Sequence, residues 1–304
     1  MSVDRLAAHW GLTRMPFGKD LPVGALSRHR SFQEAVARVG WAVAQRQLAV
    51  LTGEVGSGKT VAVRAALSGL EPARHLPVYT PDPTVAMRGV CSRIAWALGG
   101  QPQSYKGMPA TQAAKLLAGE LDERGRLPIL VVDEAHLVSN QELESLRMPT
   151  NTDMDTGSVF ALVLIGQPTP RRRLKPAVLS APDQRKGARR QMAAMDAKET
   201  ARHIHTHLAW AGRSEPLFAD DATAEIWQAS KGCPRAVNNL AVSPMLAAYA
   251  AIHTIARSRR AHDPETQAYI AKRTAEGKTD RETLRCLKRH TTRQLYRQPT
   301  HLTA

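Results

Sequence analysis

The sequence has few cysteines and few aromatic residues. Its three cysteines, Cys91, Cys233 and Cys286, are too widely spaced for a disulfide framework or a Cys-x-x-Cys metal site, which favours reduced thiols. Aromatic residues make up 5% of the 304 residues and hydrophobic residues 43%, so the core must consist mostly of Ala, Val, Leu and Ile. This composition is typical of an α/β protein with alanine-rich helices.

The sequence also lacks an uninterrupted apolar run long enough to cross a membrane. Residues 240–256 are broken by Ser243, Pro244, His253 and Thr254, whereas a spanning helix needs about 20 mostly apolar residues. The start of the chain has no apolar signal-peptide core. The sequence therefore predicts a cytoplasmic protein without membrane insertion.

Acidic residues are too few to balance the basic ones, and the formal net charge is +15. Residues 171–190 contain eight Lys and Arg against one acid, and residues 251–304 contain twelve against five. Concentrated positive charge favours a polyanionic partner, because each neutralised phosphate releases counterions. A well-solvated basic surface has the same composition. The charge pattern therefore predicts a polyanion, and double-stranded DNA is the expected partner.

Apolar runs alternate with alanine-rich helical segments in residues 1–195. Two of the runs are almost uniformly apolar, as in strands buried on both faces of a parallel sheet. The alternation predicts a doubly wound α/β domain. The expected strands are 47–52, 76–80, 127–133 and 159–166, and the expected helices between them include 60–70 and 111–125.

Residues 196–304 show only helical patterns. Asp196 and Glu199 have capping-box spacing at the start of a helix, and Pro234 can begin another because proline is tolerated in a first turn. These features predict a helical lid domain over 196–256. A basic helical tail follows over 257–304, where Thr279 and Glu282 form a second capping box.

The stretch LTGEVGSGKT (51–60) fits the pattern GxxxxGK[ST] between an expected strand and an expected helix. Its glycines would let backbone N–H groups surround phosphate oxygens, and the helix N-terminus would add its dipole. Lys59 would contact the β- and γ-phosphates, and Thr60 would bind Mg²⁺. A plain glycine turn is the alternative. The expected nucleotide-binding residues are Gly53, Glu54, Val55, Gly56, Ser57, Gly58, Lys59, Thr60 and Val61.

Two adjacent carboxylates end the buried run PILVVDEAH (128–136). Asp133 is expected to anchor Mg²⁺ together with Thr60, and Glu134 to orient and deprotonate the attacking water, as in a hydrolase rather than a kinase. Adjacent carboxylates also occur as ordinary strand-end residues. Because no NKxD-like guanine-specificity element is present, ATP is favoured over GTP.

The stretches GEVGSGKT, VVDEAHLVSNQELESLR, LVLIGQP and GCPRAVNNL together resemble AAA+ ATPases. More narrowly, they are similar to the bacterial group that includes transposition helper ATPases and ExeA-type secretion ATPases. The resemblance covers roughly residues 5–250. It implies a P-loop NTPase parallel sheet sandwiched by helices, a small helical lid domain and assembly into a homo-oligomer.

The resemblance also implies roles for three further residues. Gln167 occupies the sensor-1 position, Arg185 lies in the arginine-finger region, and Arg235 matches sensor 2 and would contact the nucleotide. An arginine from a neighbouring subunit would stabilise charge on the transferring phosphoryl group. Solvated charges at the two arginines and a simple strand-end cap at Gln167 are the alternatives. The expected catalytic set is Lys59, Glu134, Gln167 and Arg185.

Other segments extend the resemblance. The basic run Arg171–Arg173 with Lys175 would face DNA in a ring or filament, and residues 15–22 resemble the segment near the adenine. Residues 263–297 resemble the C-terminal helices of a DEDD-type insertion-sequence transposase, although a generic basic helix pair fits them too. Several prolines fall where relatives have helix formers, and an interior proline costs about 3 kcal/mol, so impaired folding is expected. They are Pro149, Pro176, Pro182 and Pro244.

The leading hypothesis is an ATP-hydrolysing regulator of DNA transposition that binds DNA as an ATP-dependent oligomer, with a transposase as its candidate protein partner. An ExeA-like secretion-assembly ATPase is one alternative. A decayed fusion that only binds nucleotide is the other.

Overall fold

The computed structural model describes residues 3–18, 21–81, 97, 110–138, 158–168 and 188–297. The chain divides into two compact units. The sheet unit comprises Asp20–His207 and Phe218–Val237, and the helical unit comprises Met1–Lys19, Leu208–Leu217 and Asn238–Ala304. The division at 195 and 256 derived from the sequence remains a prediction.

A five-stranded, fully parallel sheet forms the centre of the sheet unit, with strand order β2-β3-β4-β1-β5. The four expected strands are present, which confirms the P-loop NTPase fold class. The fifth strand was not anticipated, because its sequence ARRQ carries two arginines and no apolar run. The strands are β1 Leu48–Thr52, β2 His75–Thr80, β3 Leu127–Val132, β4 Ala161–Gly166 and β5 Ala188–Gln191.

Helices cover both faces of this sheet. Every residue of β3 and β4 is buried, as the uniformly apolar runs predict. Alternate side chains enter two separate clusters, one packed against α2 and α3 and the other against α4. Each fully buried Leu, Ile or Val contributes about 1.5–3 kcal/mol. The helices are α1 Val3–His9, α2 Arg30–Ala44, α3 Lys59–Ser68, α4 Ala110–Arg124, α5 Ala197–Trp210, α6 Asp220–Ser230, α7 Pro234–His262, α8 Pro264–Ala275 and α9 Asp280–Arg297.

The expected capping box opens α5. The Glu199 backbone N–H donates to Asp196 Oδ1 at 2.7 Å, and the Asp196 N–H donates to Glu199 Oε2 at 3.2 Å. The helix α7 begins at Pro234, as expected, and runs through the exposed Pro244. A proline facing solvent lets water satisfy the carbonyl that loses its helical partner. Pro149, Pro176 and Pro182 lie outside the described residues.

By length and composition, α7 is long and apolar enough to cross a membrane. A helix in a protein core passes the same test, and 28% of the most apolar stretch is buried. The buried residues recur every three or four positions and therefore form one stripe. They are Val237, Ala241, Met245, Tyr249, Ile252 and Ala256.

In the helical unit, the N-terminal segment contacts α7 and the turn after α5. Trp10 Nε1 donates to the carbonyl of Met245 at 3.3 Å, and the Thr13 backbone N–H donates to Ala211 O at 2.8 Å. The tail is helical as far as it is described, to Arg297. Its expected capping box is present, with Thr279 donating to Glu282 through both its backbone N–H and its hydroxyl.

A buried histidine pair on α5 makes stability depend on pH. Burial, and then the neighbouring His203, lowers the pKa of His207 from 6.5 to about 3. In the unfolded chain His207 is therefore protonated below about pH 6.5, whereas in the folded chain it is protonated only below about pH 3. Stability is full above pH 6.5 and falls as the pH drops through this window.

The unfolding free energy of the unmodified chain should fall between about pH 7.5 and pH 5. We expect this fall to be about 2 kcal/mol smaller in His207→Leu. Chemical denaturation at several pH values measures it. His205→Leu, at an exposed position two residues earlier on α5, should leave the pH dependence unchanged. Equal slopes for His207→Leu and the unmodified chain would contradict the assignment.

Candidate nucleotide-binding site

The phosphate-loop sequence connects the end of β1 to the start of α3. Gly56 and Gly58 have φ values of 83° and 88°, a left-handed backbone that favours glycine. Gly53 is required for a different reason, since a Cβ there would lie 2.7 Å from Ser57 Oγ and 2.9 Å from Met192 Cβ. The glycines of the motif are therefore needed for the shape of the loop.

Lys59, the first residue of α3, points back into the loop. Its Nζ donates to the carbonyl oxygens of Gly53 and Glu54 at 2.8 and 2.9 Å. Burial lowers the pKa of Lys59, and the nearby carboxylates of Glu134 and Asp133 oppose this shift. The ammonium group is thus held at the loop by neutral carbonyls and by two acidic neighbours.

Asp133 follows β3 and lies beside the start of α3. Its Oδ2 accepts hydrogen bonds from the Thr60 hydroxyl at 2.8 Å and the Tyr79 hydroxyl at 2.9 Å. Its Oδ1 accepts from the Glu134 backbone N–H at 2.8 Å. Burial, followed by the bond to Asp133, raises the pKa of Tyr79 to about 12. Three donors from different elements therefore fix this carboxylate.

Glu134 lies on a left-handed backbone, with φ 49° and ψ 34°, a strain that costs about 1–3 kcal/mol in a non-glycine residue. Its Oε2 is buried and makes no hydrogen bond among the described residues, although it lies 3.3 Å from His136 Nδ1. The same Nδ1 accepts from the Gln167 backbone N–H at 3.5 Å. His136 Nδ1 thus lies close to both Glu134 and the residue that follows β4.

The start of α7 contacts the loop. The Arg235 backbone N–H donates to Gly56 O at 3.2 Å, and the Cys233 thiol lies 3.4 Å from Val55 O. A Cβ at Gly56 would be 2.7 Å from Arg235 Cβ. The side chain of Arg235 is exposed, and its charge is close enough to act on the pKa of Lys59.

The donors at this site fit a magnesium ion. Thr60 Oγ1 and Asp133 Oδ2 are adjacent oxygen ligands, which suit Mg²⁺, an ion that usually takes one or two carboxylates and completes its shell with phosphates and water. The described residues contain no cluster of three or more His, Cys, Asp or Glu that could hold a metal alone. Thr60 and Asp133 are therefore the candidate ligands of this ion.

The structure brings together most of the expected site residues. The loop from Gly53 to Val61, Asp133, Glu134, Gln167 and Arg235 all lie in the sheet unit around the carboxyl ends of β1, β3 and β4. Arg185 and the basic run Arg171–Arg173 with Lys175 lie outside the described residues.

The sequence analysis did not single out Tyr79 or His136. Both follow or end a strand at the edge where the motif residues meet, and this position was the available signal. Neither belongs to a recognisable motif, so only the strand pairing shows that Tyr79, on β2, is opposite Val131, two residues before Asp133.

Residues 43–174 match a family model described as an AAA domain. This part of the chain is therefore similar to an AAA domain. General secretion pathway protein A of Aeromonas hydrophila is 27% identical over 249 residues, an alignment that covers 79% of this chain and 44% of that protein. The chain therefore spans less than half the length of this relative.

Solved structures have a fold similar to that of this chain. Cdc6p of Pyrobaculum aerophilum aligns with a TM-score of 0.59 and 18% identity, over 77% of this chain and 65% of that one. The ORC1 protein of Aeropyrum pernix, solved in complex with DNA, aligns with a TM-score of 0.55 and 17% identity, over 83% and 73%. At these identities the likeness concerns the fold alone.

Gly232 is required where the chain enters α7. Its φ is 69°, and a Cβ there would overlap the carbonyl oxygen of Met195. We expect Gly232→Ala to lower the free energy of unfolding by more than about 3 kcal/mol, because a backbone displacement adds to left-handed strain. Urea denaturation measures this loss.

Gly125→Ala is the matched control, because Gly125 also has a positive φ, 63°, but has no atom within 4 Å of the added Cβ. It should cost only about 1–2 kcal/mol. Similar losses in the two variants would show that the contact with Met195 does not limit the turn.

Proposed function

We propose that this chain binds ATP with Mg²⁺ and hydrolyses it. The observation that carries the proposal is the 2.8 Å hydrogen bond between Thr60 and Asp133, next to the lysine of a glycine-rich loop. It places a hydroxyl, a carboxylate and an ammonium group at one edge of the sheet, where phosphoryl-transfer sites of this fold need them.

In this proposal the loop holds the triphosphate. Backbone N–H groups from Gly53 to Val61 and the N-terminus of α3 surround phosphate oxygens, and Lys59 exchanges its carbonyl partners for phosphate. Thr60 and Asp133 hold Mg²⁺, which neutralises charge on the phosphates when bound. Tyr79 keeps the Asp133 carboxylate oriented.

Glu134 serves as the general base. Its side chain is partly exposed, which leaves the carboxylate accessible to the water from which it would accept a proton. His136 lies beside this carboxylate, and its Nδ1 accepts from the backbone N–H of Gln167, which we assign as the sensor of the γ-phosphate.

Arg235 couples the nucleotide to α7 through its charge near Lys59 and its backbone bond to Gly56. Arg185 is proposed as the arginine supplied to a neighbouring subunit in a homo-oligomer. This role rests on the sequence resemblance alone.

For the biological role we propose ATP-dependent binding of double-stranded DNA in the regulation of transposition, supported by the concentrated basic charge and by the motifs. A secretion-associated ATPase is a second candidate, favoured by the similarity to general secretion pathway protein A. A cytoplasmic location is part of the first proposal.

We expect Mg-ATP to raise the melting temperature of the chain, since a ligand of the folded state stabilises it by about 2.7 kcal/mol at a concentration of 100 Kd. Lys59→Ala should abolish this shift. Glu134→Gln should keep it and lower the hydrolysis rate by about 100-fold or more.

Lys115→Ala and Glu123→Gln, two exposed positions on α4, are the controls and should behave like the unmodified chain. Hydrolysis at the normal rate by Glu134→Gln would exclude it as the base. If Mg-ATP does not change the melting temperature of the unmodified chain, the protein does not bind nucleotide and the proposal is wrong.

The two biological candidates differ in their response to DNA. A transposition regulator should hydrolyse ATP faster with duplex DNA and bind DNA less tightly as salt rises. A secretion ATPase should be indifferent to DNA and co-purify with envelope components. Steady-state hydrolysis with and without duplex DNA, in low and moderate salt, decides between them.

A further inference from the structure

The helical unit contains a group of basic side chains around Tyr249. The ring of His9 lies 5.0 Å from the Tyr249 ring, and that of His253 lies 6.4 Å away. Lys288 Nζ lies 4.7 Å above the same ring. We call the following group the cationic patch: His9, His253, Arg257, Lys288 and Arg289.

Lys288 is unusually buried for a lysine, with 9% of its surface exposed. Its Nζ contacts the Tyr249 hydroxyl at 3.4 Å and the ring face, which partly offsets the loss of hydration. A buried ammonium group without a carboxylate is costly. The burial therefore leaves an unneutralised positive charge inside the patch.

None of the ion pairs formed by the described residues involves a member of the cationic patch. Two carboxylates of the helical unit have partners outside the patch: Asp280 pairs with Arg260 at 2.7 Å, and Asp263 caps α8 by accepting from Thr266. The patch thus has an excess of positive charge.

The pKa values of His9 and His253 are lowered in part by this positive charge. Burial, and then the charges of Lys288 and Arg289, lowers the pKa of His9. Burial, and then Lys288 and Arg257, lowers the pKa of His253. His253 Nδ1 is also buried without a hydrogen bond among the described residues. This polar atom of the patch could therefore bond to a ligand.

The basic face of α9 extends beyond the patch. Arg281, Arg285 and Arg289 are exposed and recur every four residues, so they follow one side of the helix about 6 Å apart. The other side is occupied, because Leu287 is buried in the protein. A helix that binds a membrane surface needs a free apolar face, whereas phosphate contacts need only the cations.

We propose that the cationic patch, continued by the arginine row of α9, binds the phosphate backbone of duplex DNA. This assignment rests on the DNA binding proposed above and gives it a surface in the helical unit. Contacts to phosphates alone carry no base specificity, so the surface would hold DNA of any sequence.

The test is a DNA-binding titration of the full chain at several salt concentrations, using a duplex of arbitrary sequence. Arg257→Gln with Arg289→Gln removes two exposed charges of the patch. Losing two phosphate contacts should reduce the slope of log K against log salt by about 2 and weaken binding roughly ten- to a hundredfold near 0.1 M salt.

Lys115→Gln with Arg202→Gln removes the same charge from exposed positions of the sheet unit and should change neither slope nor affinity by more than about twofold. Unchanged melting of the patch variant, with and without Mg-ATP, shows that it is folded. If the two double variants have the same salt slope and the same affinity for DNA, the assignment of DNA binding to the patch is wrong.

Two further outcomes would also overturn the proposal. If the unmodified chain hydrolyses ATP but binds no DNA even at low salt, the proposed DNA binding fails, and the patch assignment fails with it. If the patch binds phosphatidylserine vesicles instead of DNA, the partner class is wrong, while the nucleotide chemistry is untouched in both cases.

Discussion

The hydrogen bond between Thr60 and Asp133 joins two segments separated by 73 positions in sequence. Thr60 lies in the first turn of α3, and Asp133 immediately follows β3. The bond requires β1, which leads into the loop, and β3 to end at the same edge of the sheet. The loop glycines, the three donors to Asp133 and the backbone of Glu134 all depend on that alignment.

Parallel pairing supplies this alignment. In the strand order β2-β3-β4-β1-β5, β4 lies between β1 and β3. The carboxyl ends of the strands are where ligands of open α/β sheets bind. Gly53 donates its N–H to Gly166 O at 3.3 Å, and a Cβ at Gly166 would lie 3.4 Å from His136 N. Close approach of these backbones therefore holds the candidate site together.

The parts of the fold that could be predicted from the sequence are those marked by a local pattern of side chains. The apolar runs of β3 and β4 and the capping boxes at Asp196 and Thr279 could be predicted because each has a local cause. The strand β5 could not, because ARRQ gains its position from pairing with β1 rather than from its own composition. Tyr79 and His136 escaped for a related reason, since their neighbours are distant in sequence.

Lys59 has a consequence for how tightly a nucleotide could be held. Its ammonium group is already ordered by two neutral carbonyls of its own loop, so a phosphate does not have to immobilise a free side chain. What the ligand gains is the difference between a charge-assisted bond to phosphate and the bonds given up. The loop therefore binds phosphate less strongly than it would with an unbonded lysine, but the lysine is already in position.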